Sequence, residues 1–191
     1  MRGYFKTVVA VVFVTACATV PHGESTMLKH HSAGGFKNPY ADDGKKSFWD
    51  MLRWKVFGEG ARGSDAERKG VSRAPLDVHA LRNPGKAPQV TWIGHSTTLV
   101  QMGGRTILTD PIFSLRCSPV GFAGPKRYQK PALTIEDLPQ VDIAVISHNH
   151  YDHLDKPSVE ALGDKVHWVV PLGLKQWFVS LGITRVTELD W

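Results

Sequence analysis

The run Val141-Asp142-Ile143-Ala144-Val145-Ile146-Ser147 leads directly into Ser147-His148-Asn149-His150-Tyr151-Asp152-His153-Leu154-Asp155. An almost wholly apolar, β-branched stretch of this length predicts a strand buried on both faces. Three imidazoles and two carboxylates then follow within eight residues, 148–155. Such a cluster is costly to bury for structural reasons alone, because each neutral ring brings a lone pair and an N–H, and each carboxylate needs partners. A divalent cation resolves the conflict by neutralising a carboxylate and using the ring lone pairs. Side chains two apart in an extended segment point the same way, so His148 and His150 can converge on one ion. Asp152 and His153 lie past the bend and can serve a second. Two metals about 3.5–4 Å apart can share a hydroxide that is strongly nucleophilic at neutral pH.

The 191 residues suffice for one ordinary domain with a sizeable core. With 42% hydrophobic and 21% charged residues the chain falls in the soluble globular class, which excludes disordered and collagen-like chains. A net charge of +5, with Arg2 and Lys6 contributing two positives at the extreme N-terminus, is too weak for a nucleic-acid partner. Cys17 and Cys117 cannot build a disulfide framework, and Cys117 reads as a packed free thiol.

Residues 1–17 have the order of a secretory signal. A basic start gives way to the apolar stretch Thr7 to Ala16, followed by small residues. Val14-Thr15-Ala16-Cys17 resembles a bacterial lipoprotein box, which makes Cys17 a lipidation site; cleavage after Ala18 is the competing reading. Residues 18–88 read as an N-terminal extension with little periodic pattern. Its one helical stretch is Ser47 to Phe57, with Ser47 placed as a cap. From Gln89 onward the pattern sharpens. Strands are expected at Gln89 to Ile93, Thr97 to Met102 and Arg105 to Thr109, the last two joined by the hairpin dipeptide Gly103-Gly104. A Pro/Gly-rich loop from Asp110 to Pro131 precedes the buried strand. Beyond it come a short helix near Ser158 to Leu162, a strand at Val166 to Val170, and a helix through Leu174, Trp177, Phe178 and Leu181 that stops at Gly182. A last strand spans Thr184 to Leu189. Hairpins first and strand–helix alternation later imply a mixed α/β sandwich.

The His-x-His-x-Asp-His run resembles the signature of the metallo-β-lactamase superfamily. Further motifs narrow the likeness: Trp92-Ile93-Gly94-His95-Ser96-Thr97, Leu108-Thr109-Asp110-Pro111-Ile112-Phe113, Gly124-Pro125-Lys126-Arg127, Val170-Pro171-Leu172-Gly173-Leu174 and Glu188-Leu189-Asp190-Trp191. Together they resemble the N-acylphosphatidylethanolamine-hydrolysing phospholipase D group, from about Gln89 to the end. The resemblance implies an αββα sandwich over residues 89–191. It further implies two zinc ions, with His148 and His150 on one and Asp152 and His153 on the other. Asp152 is then also the catalytic carboxylate, Tyr151 a substrate contact, and Asp110 a carboxylate steadying the metal loop from behind. A turn-forming Asp-Pro is the other reading of Asp110. For His95, proximity to the site and an ordinary strand-end position both stay open. Lys126 and Arg127 read either as a phosphate attractor or as solvated charges.

The superfamily supplies a third histidine, a bridging aspartate and a last histidine farther along. After His153 this sequence has only His167, in mid-strand. The expectation is therefore an N-terminal half of the sandwich that alone binds zinc weakly and has little activity. The activity implied is cleavage of a phospholipid to an N-acylethanolamine and phosphatidic acid. It would act at a membrane surface, exported and anchored at the bacterial outer membrane or periplasmic face if Cys17 is lipidated, and periplasmic or secreted otherwise. A lactonase or soluble phosphodiesterase of the same superfamily, and an inactive truncated lipoprotein, are the alternatives.

Overall fold

The computed structural model describes residues 28–32, 35–40, 47, 49, 50, 53, 72 and 74–190. The signal-like segment and Cys17 lie outside the described residues, as does most of Ser47 to Phe57. The chain divides into two compact units, Met1–Ala61 and Arg62–Trp191. In the first, β1 (His31–Ser32) and β2 (Gly35–Phe36) form a small antiparallel pair. Ser47 does act as a cap: its hydroxyl accepts the Asp50 N–H at 3.1 Å, and the Asp50 carboxylate accepts the Ser47 N–H at 2.9 Å.

The second unit is built on one six-stranded sheet in which each strand pairs with the next along the chain. Strands β3 (Gln89–Gly94), β4 (Thr97–Met102) and β5 (Arg105–Thr109) are antiparallel. From β5 the sheet continues in parallel through β6 (Ile143–Val145), β7 (His167–Pro171) and β8 (Val186–Leu189). The parallel steps need crossovers. Two of them are filled by α2 (Lys156–Leu162) and α3 (Lys175–Ser180), while α1 (Val78–Arg82) precedes the sheet. Gly103 and Gly104 both take positive φ (57° and 72°) in the β4–β5 turn, as a two-residue hairpin demands. Gly182 ends α3, its N–H bonding the Val179 carbonyl at 2.9 Å.

Alternation along the strands puts Ile93, Leu99, Leu108, Ala144, Trp168 and Val186 on one face. They form a single core there with Leu81 of α1, Val159 and Leu162 of α2 and Phe178 of α3. Trp168 satisfies its indole N–H on the Gly163 carbonyl at 2.9 Å. The other face is open: Val90 and Trp92 are exposed, and Ile143 and Val145 only half-buried. This corrects the expectation for β6, which is covered on one face because all three helices share the same side of the sheet. The strand is also shorter than its apolar run. At one end Asp142 accepts the Thr106 N–H at 2.8 Å. At the other Ile146 still donates its N–H to the Val169 carbonyl at 3.0 Å, and only the Ser147 N–H turns from the sheet to the Asp110 carboxylate. Among the described residues, the sandwich is represented by one sheet and one helical layer.

The Thr106 N–H bond, against a small opposing cost of burial and with help from Arg105, holds the Asp142 carboxyl below its ordinary value. A depressed folded-state value gives stability that is present above the unfolded value, about 3.9, and lost as pH falls through the folded one. Asp142→Asn is therefore expected to lower the melting temperature at pH 7, with the gap to wild type closing below about pH 4. Melting followed by circular dichroism across that range measures it, and a gap independent of pH would contradict the linkage.

Candidate metal centre

Strands β5 and β6 run in parallel, so their carboxyl ends emerge side by side, with Thr109 opposite Val145. The next residues are Asp110 and Ile146, and the Asp110 N–H continues the ladder to the Val145 carbonyl at 2.8 Å. Asp110 then leaves the sheet with a positive φ of 39°. Thr97, fully buried, holds this bend: its hydroxyl donates to the Asp110 carbonyl at 2.8 Å and accepts the Ile112 N–H at 3.0 Å.

Asp110 is buried, 7% exposed as a residue, and its carboxylate faces the start of the histidine run. It accepts the Ser147 N–H at 2.7 Å, the Ser147 hydroxyl at 2.8 Å and His153 Nδ1 at 3.0 Å. A carboxylate only accepts, so His153 carries its proton on Nδ1. The Ser147 hydroxyl has already given its proton to Asp110, so toward His148 Nδ1, 3.0 Å away, it too is an acceptor. Both rings are thereby locked with Nδ1–H inward and the Nε2 lone pair outward, the orientation a cation needs. Asp110 is thus more than a turn former, and Ser147 is a hub that the sequence reading passed over.

Outward, His148 Nε2 stands 3.1 Å from His150 Nδ1, and His153 Nε2 stands 3.6 Å from Asp152 Oδ2. His150 already stands in the bend, where its carbonyl accepts the N–H groups of His153 and Leu154 at 2.9 and 2.8 Å. Two sets of donors converge: His148 with His150 and Asp152, and His95 with Asp152 and His153. Within each set the ligand atoms lie within 4.8 Å of one another. Asp152 belongs to both sets, whereas spacing alone assigned it to the second. Burial, then the neighbouring His153 and His150 rings, push His148 below its ordinary value, which keeps its lone pair available. Desolvation pulls the Asp152 carboxyl upward, but the His95 hydrogen bond, its own backbone N–H and the nearby imidazoles outweigh it and keep the group anionic. Imidazole nitrogens beside an ionised carboxylate form a donor set suited to zinc and similar divalent ions. Tyr151 lies between these ligands in the chain and is exposed.

The histidine loop is tied down from its far side. Asp155, buried, accepts the Phe113 and Ser114 N–H groups at 3.3 and 3.2 Å and the Ser158 hydroxyl. It thereby couples the start of α2 to the loop after Asp110. Arg127 serves that same loop as a strut: its guanidinium donates to the Ile112 carbonyl at 2.7 Å and the Gln129 carbonyl at 3.2 Å. Gly94 passes so close that a Cβ there would stand 2.9 Å from Arg127 Nη2. The phosphate-attractor reading of Arg127 thus gives way to a structural one. Cys117 is a half-buried free thiol, its pKa pushed up by burial. His167 bonds the Thr187 hydroxyl at 2.9 Å and takes no part in the cluster. Beside His95 opens a cleft of about 1060 Å³, lined by Leu76, Trp92, Cys117 and Tyr128 among others.

Residues 89–188 match the family described as Beta-lactamase superfamily domain. An N-acyl-phosphatidylethanolamine-hydrolyzing phospholipase D 1 of Caenorhabditis elegans is 49% identical over 109 residues, which is 53% of this chain and 31% of that protein. A UPF0173 metal-dependent hydrolase of Aeropyrum pernix is 39% identical over 66 residues, 35% of this chain and 22% of its own length. The crystal structure of a possible metal-dependent hydrolase from Veillonella parvula aligns over 56% of this chain and 45% of its own, with a TM-score of 0.44 and 24% identity. The chain spans less than a third of the length of each of these two sequence relatives. The family match covers just over half of the chain and takes in the mixed sheet as far as Glu188 of β8, together with the histidine loop. The chain belongs to the beta-lactamase superfamily, and its sheet and helices form a metallo-β-lactamase-like fold.

Proposed function

We infer that this protein serves a zinc-dependent phosphodiesterase that cleaves N-acylphosphatidylethanolamine to an N-acylethanolamine and phosphatidic acid. The observation that carries the reading is the 49% identity with the worm phospholipase D over 109 residues. The donor geometry supports it. His148, His150 and Asp152 would hold one ion, while Asp152 and His153 would hold the second. When bound, zinc supplies Lewis acidity toward phosphoryl oxygens and lowers the pKa of water. Asp110 and Ser147 keep two of the rings in the ligating tautomer. Asp152 is the carboxylate at the reacting centre, and exposed Tyr151 is placed to touch substrate. The cleft beside His95 offers room for an apolar chain. Cys17 would carry the lipid that brings the chain to a membrane surface; among the described residues no helix is long and apolar enough to cross one.

Incubating the zinc-treated 191-residue chain, and a longer form that adds the later superfamily ligands, with N-acylphosphatidylethanolamine, a lactone and a chromogenic β-lactam tests the reading. Little turnover by the 191 residues alone is expected, and release of the N-acylethanolamine by the longer form, abolished by chelation and restored by zinc. Turnover of the lactone alone by the longer form would move the assignment elsewhere in the superfamily, and turnover of none by the longer form with zinc bound would overturn the enzymatic reading.

A further inference from the structure

The turn between β3 and β4 adopts a conformation its sequence disfavours. Gly94 pairs with Thr97, so His95 and Ser96 form the turn, and His95 has a φ of 53°. That region is strained for a residue with a Cβ, and tight hairpins commonly give the position to glycine. The conformation carries the ring to Asp152: His95 Nε2 lies 3.2 Å from Asp152 Oδ2. Ser96 reaches the same residue, its hydroxyl donating to the Asp152 carbonyl at 2.9 Å. The His95 carbonyl is itself held by the Trp92 indole N–H at 2.8 Å. One hairpin turn thus grips both the backbone and the side chain of the aspartate common to the two donor sets. Strain of this kind persists where the surroundings over-determine it, often at functional sites.

We propose that the His95–Ser96 turn is a positioning device for Asp152, a role that rests on the metal-binding reading above. A carboxylate only accepts, so Nε2 carries the proton in this bond. His95 therefore orients the carboxylate from outside and does not ligate while the bond is made. The oxygen it steadies, Oδ2, is the one that stands 3.6 Å from His153 Nε2.

The test compares wild type with His95→Ala, His95→Gln and His95→Gly. Zinc affinity is read by competition with a chromophoric chelator, and metal-free melting by circular dichroism. Losing an outer partner of a ligand typically costs 10–100-fold in metal affinity. His95→Ala is expected to weaken the looser of two zinc ions by about that factor. His95→Gln, which keeps an N–H donor, recovers most of the loss. His95→Gly binds as weakly as the alanine variant yet melts above wild type, because the strained φ is relieved. Zinc binding by the alanine and glycine variants equal to wild type would overturn the positioning role alone, as would a glycine variant that melts lower. A wild-type protein that takes up no zinc would bring down the metal-binding reading, and this role with it.

Discussion

With His148 and His150 both changed to alanine, zinc binding at the His148–His150–Asp152 set is expected to weaken by at least about 100-fold. The double change removes two of the three donors in one set and leaves Asp152 alone. Outer partners cost 10–100-fold, so two direct ligands must cost more. The fold should survive. Both rings sit in a bend beyond β6, outside the hydrophobic core. Burial and the neighbouring rings work against the charged form of His148, a cost felt only at low pH, so metal-free melting at pH 7 should change little. Zinc titration and melting of the same sample check both halves. Zinc uptake equal to wild type would remove the basis of the functional reading.

Asp110→Ala is expected to be the most damaging single change at the site, destabilising the protein by about 3 kcal/mol. It would orphan the Ser147 N–H and hydroxyl and the His153 Nδ1–H, which all end on the carboxylate of this buried residue. It would also leave an alanine at a φ of 39°, where aspartate and asparagine are better tolerated. His153, freed to rotate, should lose metal affinity as well. Asp110→Asn keeps the backbone preference and one acceptor but turns an NH₂ toward a donor, so it should fall between. Urea denaturation measures the series. A loss for alanine below about 1 kcal/mol, the worth of one ordinary hydrogen bond, would reduce Asp110 to a turn residue.

Much of this was legible because periodicity and turn chemistry agree locally. The β4–β5 hairpin carries its glycine pair in the sequence, and Gly182 closes α3 where the apolar pattern ends. The histidine cluster was legible for a different reason: so many imidazoles and carboxylates in eight residues single themselves out in the sequence, and the fold brings the same side chains within reach of one another. What stayed hidden depends on contacts between distant segments. Ser147 looks like any strand-end serine until β5 and β6 are known to be parallel neighbours, which sets it against Asp110. His95 stands 57 positions before Asp152, and nothing in its own surroundings announces the pairing. Arg127 looks like a loop charge, and only the folded loop shows its guanidinium spent on main-chain carbonyls. Helix α1 is five residues long, too short for a periodic signal, although Asp77 caps it by accepting the Ala80 N–H at 2.9 Å.

The order of the sheet bears on how the molecule is made. Because every strand lies beside its immediate predecessor, each new one finds its docking edge already in place as the polypeptide leaves the ribosome. Assembly can then proceed by accretion from β3 to β8, with little loop entropy lost at each addition. The two strand ends that hold Asp110 and Ser147 come together midway through that growth, so the seat for the imidazoles can form without any contribution from α3 or β8.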